Sequence, residues 1–184
     1  MYVNLSGKDI DRLIEGFTYY ASELAQIDKS EHSERGDLLG QALVGVLAAA
    51  LHAPGDDAGG RFRQRRADYF ALVRDTLRRE RPALAAYLAR IDLQLWRRKR
   101  DGWYNACLGR SVLQVIVDHV DDRIEPPLVE PRDLAELDAE LREIGPGINA
   151  LPPDAIPPGL PDSHWWWSLP GGPMQDDSED DESY

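Results

Sequence analysis

The stretch ALVGVLAAAL, residues 42–51, is the longest apolar run in this chain. It is about half of the roughly 20 residues that a helix needs to cross a bilayer, so we expect no membrane span. A helix that is apolar on every side belongs in the middle of a core. Gly40 and Gly45 would let neighbouring helices approach closely, and Pro54-Gly55 ends the pattern. These features predict a central helix over residues 37–53.

Amphipathic segments on both sides of this run provide the rest of a helical bundle. Residues 29–36 are polar and are predicted as a loop. Residues 112–117 are rich in β-branched side chains, which are typical of strands. No partner strand is recognisable, so a helix over residues 104–124 is favoured. Apolar residues also recur at helical spacing over 7–27, 61–80, from Pro82 onward and over 131–144. We therefore predict an all-α fold, a five- to six-helix bundle.

The chain changes character after Gly147. Residues 149–173 contain seven prolines, which exclude a regular helix and favour extended structure. Three adjacent tryptophans, Trp165–Trp167, lie within this stretch, and the last nine residues include six acids. We predict a helical domain over residues 1–147, followed by an irregular Pro/Trp-rich tail over 148–184 that ends in a disordered acidic segment.

Composition indicates where the protein acts. Cys107 is the only cysteine, so an intrachain disulfide is excluded, which suits a reducing compartment. The first residues lack the basic and apolar regions of a signal peptide. Basic residues are mostly arginine and alanine is abundant, which is typical of coding in a high-GC bacterial genome. We expect a cytoplasmic bacterial protein.

No familiar catalytic or cofactor motif occurs, and the four histidines do not cluster, so we expect neither a cofactor nor a metal. The best polar cluster is Asp118, His119, Asp121 and Asp122, which share a helix end and could hold a cation or a general base. One helix supplies few ligands, and an acidic helix end is usually solvated. A helical enzyme with a dispersed site near Asp118–Asp122 is therefore our second alternative.

Charge is distributed unevenly along the chain. The formal net charge is −12, yet residues 61–100 hold thirteen Lys/Arg and four Asp/Glu. These basic helices could neutralise phosphates while an aromatic ring stacks on a base. They could equally be solvated, paired with the protein's own acids, or a protein interface. The candidate surface for an anionic partner consists of Arg61, Arg65, Arg66, Arg97, Arg98, Arg100 and Trp103. A nucleic-acid-associated regulator is thus the first alternative, although the acidic balance of the chain opposes it.

The tryptophans of the tail support the leading hypothesis. Each tryptophan buries on the order of 200 Å² when it is covered, so three in a row are unfavourable in water. They could pack on the protein's own core as a clasp, or enter a partner's groove as a docking peptide. The predicted partner-binding residues are Asp162, His164, Trp165, Trp166, Trp167 and Leu169. The acidic end could also cover the basic helices.

The leading hypothesis is therefore a non-enzymatic accessory, adaptor or regulatory protein that acts by binding another protein. Subunits of bacterial defence, immunity or toxin–antitoxin systems fit this description. Nucleic acid is a less favoured partner, and no membrane is expected.

Overall fold

The computed structural model describes residues 7–51, 60–96, 99–121 and 126–171. No strand forms within these ranges, so the prediction of an all-α fold is confirmed. The six α-helices are α1 (Gly7–Gln26), α2 (His32–Leu51), α3 (Arg61–Arg79), α4 (Arg81–Trp96), α5 (Arg100–Val115) and α6 (Pro131–Ile144). A π-helical turn, Ile116–Val120, extends α5, and 3-10 turns follow at Gly145–Gly147, Pro153–Ala155 and Trp165–Ser168.

Helix α2 lies at the centre of the bundle and packs against α1, α4 and α5. Leu43 and Val46 are fully buried, as expected for the apolar run, whereas Val44 in the same run is 50% exposed. Glycines bring the helices together. A Cβ added to Gly36 would lie 3.0 Å from the backbone and the Cβ of Ala86, and one added to Gly45 would lie 2.9 Å from Leu13. The sequence therefore correctly predicted α2 as the core helix.

The start of α2 was predicted wrongly, because residues 29–36 were expected to form a loop and α2 begins at His32. Arg35 explains the difference. Its side chain is buried, forms an ion pair with Glu80, and donates to the carbonyl oxygens of Leu24 at 2.9 Å and Ile27 at 2.7 Å. These partners lie at the ends of α3 and α1. A polar stretch therefore becomes a helical turn through contacts that the local sequence does not contain.

The ambiguous β-branched stretch is helical, as favoured from the sequence. Val112, Leu113 and Ile116 are buried between helices, so these side chains pack in the helical core and not in a sheet. Pro82 occupies the first turn of α4, where its missing N–H does no harm. The observed bounds of α6 coincide with the predicted residues 131–144.

The tail belongs to the same buried core as the helices. Ile148, Leu151, Trp166 and Trp167 are part of the apolar cluster built by the helices. The acidic segment 176–184 lies outside the described residues. No helix in the described ranges combines the length and the apolar character needed to cross a membrane.

Candidate functional site

Helix α5 presents one small polar residue, Ser111, to the tail. Ser111 is fully buried, and its Oγ accepts hydrogen bonds from the indole N–H of Trp166 at 3.1 Å and of Trp167 at 2.9 Å. Nδ1 of His164 lies 3.1 Å from the same oxygen. A hydroxyl has two lone pairs and one proton. Because the indoles occupy both lone pairs, the proton of Ser111 goes to Nδ1 of His164.

This arrangement requires a neutral His164 that carries its proton on Nε2. Burial, followed by the positive charge of Arg110, lowers the pKa of His164. Its ring also stacks on Trp166, with the ring centroids 4.8 Å apart. The electrostatic environment and the hydrogen-bond geometry therefore select the same protonation state.

Two arginines cover the tryptophans from the α5–α6 side. The guanidinium of Arg110 lies 4.4 Å from the ring centroid of Trp166, and that of Arg142 lies 4.1 Å from Trp165. Such cation–π contacts are attractive. Arg110 also donates to both carboxylate oxygens of Asp138, at 2.6 and 3.2 Å. The tail is thus attached to α5 and α6 together.

The structure therefore shows the first of the two destinations expected for the tryptophans, the protein's own core. We call residues 164–169 the tryptophan clasp. Trp166, Trp167 and His164 are buried in it, and Trp165 and Leu169 are half-buried. Asp162, just before the clasp, is exposed. As folded here, the buried members are not presented to a partner, so their predicted role in partner binding would require the clasp to open.

The Ser111–His164 pair resembles a nucleophile beside its base. Ser111 is fully buried, however, and its hydroxyl already has three hydrogen-bond partners. Cys107 is buried as well, 3.7 Å from the carbonyl oxygen of Trp166, and burial raises the pKa of its thiol well above the ordinary value. Neither residue is placed or activated to attack a substrate.

The acidic cluster after α5 makes local structural contacts. Both carboxylate oxygens of Asp121 accept the backbone N–H of Leu128, at 3.0 and 2.9 Å. His119 stacks on Phe70, with the ring centroids 5.6 Å apart. Asp118 accepts a hydrogen bond from Gln114 at 2.9 Å, and Asp122 lies outside the described residues. Within the described ranges, no group of three or more His, Cys, Asp or Glu residues is arranged to hold a metal ion.

The structure describes the side chains of four of the seven residues of the candidate surface for anionic partners: Arg65, Arg66, Arg100 and Trp103. Trp103 is only 1% exposed, so its ring cannot stack on a base, which removes it from this surface. Arg65 forms ion pairs with Asp11 and Asp68. Arg66 lies over the Phe62 ring, and Arg100 also has an interaction partner. The side chain of Arg61 is not described, and Arg97 and Arg98 lie outside the described residues. Pairing with the protein's own acids thus accounts for part of the basic stretch.

Helix α4 carries an exposed apolar face that the sequence pattern did not indicate. Leu93 is 56% exposed and Trp96 is 68% exposed. They continue a row at helical spacing whose members are all exposed: Pro82, Ala85, Ala89, Leu93 and Trp96. We call this row the apolar stripe. It lies opposite the buried face of α4, so the helix is apolar on both sides. The spacing is visible in the sequence, but only the tertiary structure shows that this face of α4 is left uncovered.

Four acidic residues, Asp92 on α4 with Asp133, Glu136 and Glu140 on α6, lie beside the apolar stripe, and we call them the acidic row. Burial and the neighbouring charges of Glu140, Asp133 and Glu136 raise the pKa of Asp92 on α4 to about 6. The three neighbours are spaced three and four residues apart, so they share one face of α6. Arg132 donates to Glu136 at 2.6 Å. One oxygen of Glu140 is buried without a hydrogen-bond partner among the described residues.

A cavity of about 250 Å³ lies between α2, α4 and α5. Asp37 and Arg90 line it and form an ion pair, and Tyr87 contributes to its wall. Ligand pockets generally measure about 300–1,000 Å³, so this cavity is small for a ligand site. We therefore regard the stripe and the acidic row, which together we call the α4–α6 surface, as the candidate site.

Comparison with protein-family models, curated proteins and solved structures finds no match to this chain.

Proposed function

We propose that this protein is a non-enzymatic adaptor or regulatory protein, and that it binds another protein through the α4–α6 surface. The observation that carries the proposal is the apolar stripe. From Pro82 to Trp96 it extends about 21 Å, at about 1.5 Å per residue. Exposed apolar residues that form a continuous row with a polar rim are typical of interaction sites. Tryptophan is also enriched among the residues that dominate binding energy.

The tryptophan clasp supports this proposal by holding α6 in place. Arg110 connects α5 to Asp138 of α6, and Arg142 of α6 covers Trp165 of the tail. These contacts place the acidic row at a defined position beside α4. A binding surface on rigid elements loses little conformational entropy when a partner docks. In this proposal the clasp supports the site, and α4 provides the contact.

We extend the proposal to a bacterial, cytoplasmic setting, as a subunit of a defence, immunity or toxin–antitoxin system. The arginine-rich, alanine-rich composition and the single cysteine support the setting. A narrow apolar row beside charge suits a role in holding or inhibiting a partner.

The test is site-specific photo-crosslinking in cells that make the protein. Leu93 is replaced by a photo-crosslinking phenylalanine derivative, and the matched control carries the same group at Asp75, an exposed position on α3. We expect a discrete crosslinked protein from position 93 that is absent from position 75. Crosslinks that are absent from position 93, or equal at both positions, would contradict the proposal.

A further inference from the structure

We infer that the partner presents a cationic amphipathic helix, which packs its apolar row on the apolar stripe and directs Lys or Arg side chains at the acidic row. This inference rests on the proposed function, because it names the chemistry of the partner at the same surface. Three observations carry it: the shape of the stripe, the excess of negative charge beside it, and the poor fit of other occupants.

The shape of the stripe suits a single helix. It is about 21 Å long, and a helix is about 10–12 Å wide, so one partner helix would cover it. Its first half is made of small residues, Ala85 and Ala89, and its second half of large ones, Leu93 and Trp96. Large side chains of the partner fit over the alanines, and small ones fit beside Trp96. Binding of an amphipathic helix by an apolar row is a recurrent mode of peptide recognition.

The charge beside the stripe selects a cationic partner. The acidic row contains four carboxyl groups, Asp92, Asp133, Glu136 and Glu140. The single positive charge of Arg132, which bonds to Glu136 and also interacts with Asp133, does not balance them. Burial is the main cause of the raised pKa of Asp92, and the repulsion of these neighbouring charges adds to it. A Lys or Arg placed next to Asp92 relieves this repulsion. Complementary charge of this kind sets partner choice and association rate.

A second copy of this chain fits poorly. A two-fold axis that pairs two α4 helices antiparallel leaves both α6 helices on the same side of the contact, so the acidic rows face each other. A parallel pair sets Trp96 against Trp96 and leaves a gap at the alanines.

Other negatively charged occupants are repelled by the same row. The chain's own segment 176–184 contains six acids within nine residues, and nucleic acid carries a phosphate at every nucleotide. Both would add negative charge beside Asp92. Along the α6 side of the stripe, the acidic row therefore favours a cationic helix over these alternatives.

The experiment measures fluorescence anisotropy of labelled helical peptides with the full chain. The probe has leucines at positions spaced three and four apart, with lysines beside them. One comparison peptide replaces every lysine by glutamate, and another keeps the composition of the probe but breaks the leucine row. We expect the probe to bind at least tenfold more tightly than either. We also expect its affinity to fall as salt is raised.

Variants of the chain locate the site. Leu93→Ala with Trp96→Ala should weaken binding of the probe at least tenfold, and both positions are exposed, so the fold should survive. Asp133→Asn with Glu136→Gln should weaken it several-fold and reduce the salt dependence. The matched control, Glu31→Gln with Glu34→Gln, removes two exposed charges at the start of α2 and should change neither quantity.

Equal binding of the lysine and glutamate peptides would overturn the inference, and so would tight binding of the peptide with the broken leucine row. The same holds if the Glu31→Gln, Glu34→Gln control weakens binding as much as Asp133→Asn with Glu136→Gln does. A dimer that dissociates on Leu93→Asp would overturn the inference in favour of a second copy of this chain.

The crosslink at position 93 separates this inference from the proposed function. A crosslinked partner segment that is not basic contradicts this inference and leaves the proposed function standing, whereas absence of any crosslink contradicts both.

Discussion

Ser111 shows how one residue can allow a segment more than 50 positions away to pack in the core. Its hydroxyl is the shared hydrogen-bond partner of Trp166, Trp167 and His164. Indole N–H groups only donate and would be unfavourable if buried without an acceptor. A single serine therefore allows two tryptophans to enter the core. Nothing in the local sequence distinguishes it from an ordinary helical serine.

Ser111→Ala should lower the free energy of unfolding by about 2–6 kcal/mol, because two buried indole N–H groups lose their acceptor at about 1–3 kcal/mol each. Urea unfolding monitored by tryptophan fluorescence measures the change. The control is Ser168→Ala, an exposed serine in the same clasp, which should change stability much less. A loss below about 0.5 kcal/mol for Ser111→Ala would show that the indoles find other acceptors.

His164 should make stability depend on pH. Its pKa is lowered in the folded state, so the unfolded chain binds protons more readily. Stability should therefore be retained above the unfolded pKa of about 6.5 and lost as the pH falls from there through the folded pKa. His164→Asn keeps a hydrogen-bond acceptor for Ser111 but does not titrate. Between pH 7.5 and 5.5, the free energy of unfolding of this variant should therefore change less with pH than that of the original chain. Identical profiles would assign the pH dependence to other groups.

At the scale of elements, a helical glycine allows close packing only where it faces the backbone of a neighbouring helix. A Cβ on Gly36 of α2 would meet the backbone of Ala86 on α4 at 3.0 Å, whereas one on Gly16 of α1 has nothing within 4 Å. Both glycines are helical, so propensity alone favours alanine at each. The packing partner reverses that preference at Gly36 only.

Gly36→Ala should therefore lower the free energy of unfolding by about 1–3 kcal/mol, since α4 must move away. Gly16→Ala should raise it by up to about 1 kcal/mol, because it removes backbone freedom from the unfolded chain. Thermal and urea unfolding of the two variants provide the comparison. A stabilising Gly36→Ala would mean that α2 and α4 separate at little cost.

At the scale of the whole molecule, the tail completes the core that the helices begin. Trp166 and Trp167 lie in the same cluster as residues of α5 and α6. Removing the tail exposes apolar surface on both sides of the contact. The predicted boundary at Gly147 separates regular from irregular secondary structure, while the apolar packing continues across it.

A chain that ends at Gly147 should lose several kcal/mol of stability. Each buried tryptophan covers about 200 Å², which corresponds to about 5 kcal/mol before ordering costs. We expect a lower unfolding midpoint and binding of a hydrophobic dye. A chain that ends at Gly171 keeps the clasp and should unfold like the full chain. A stable, cooperative 1–147 fragment would show that the helical domain is independent of the clasp.

The sequence by itself determined which segments are helical, apart from the first turn of α2, because apolar spacing and Pro/Gly positions depend on neighbours within a few residues. It identified α2 as the core helix, assigned α6 to its observed bounds and singled out the tryptophans. Only the tertiary structure decided what covers each face. It placed Arg35 against Glu80, the indoles against Ser111, and left Leu93 and Trp96 exposed. Spacing shows which residues share a face, and the partner of that face is set by contacts between residues far apart in the chain.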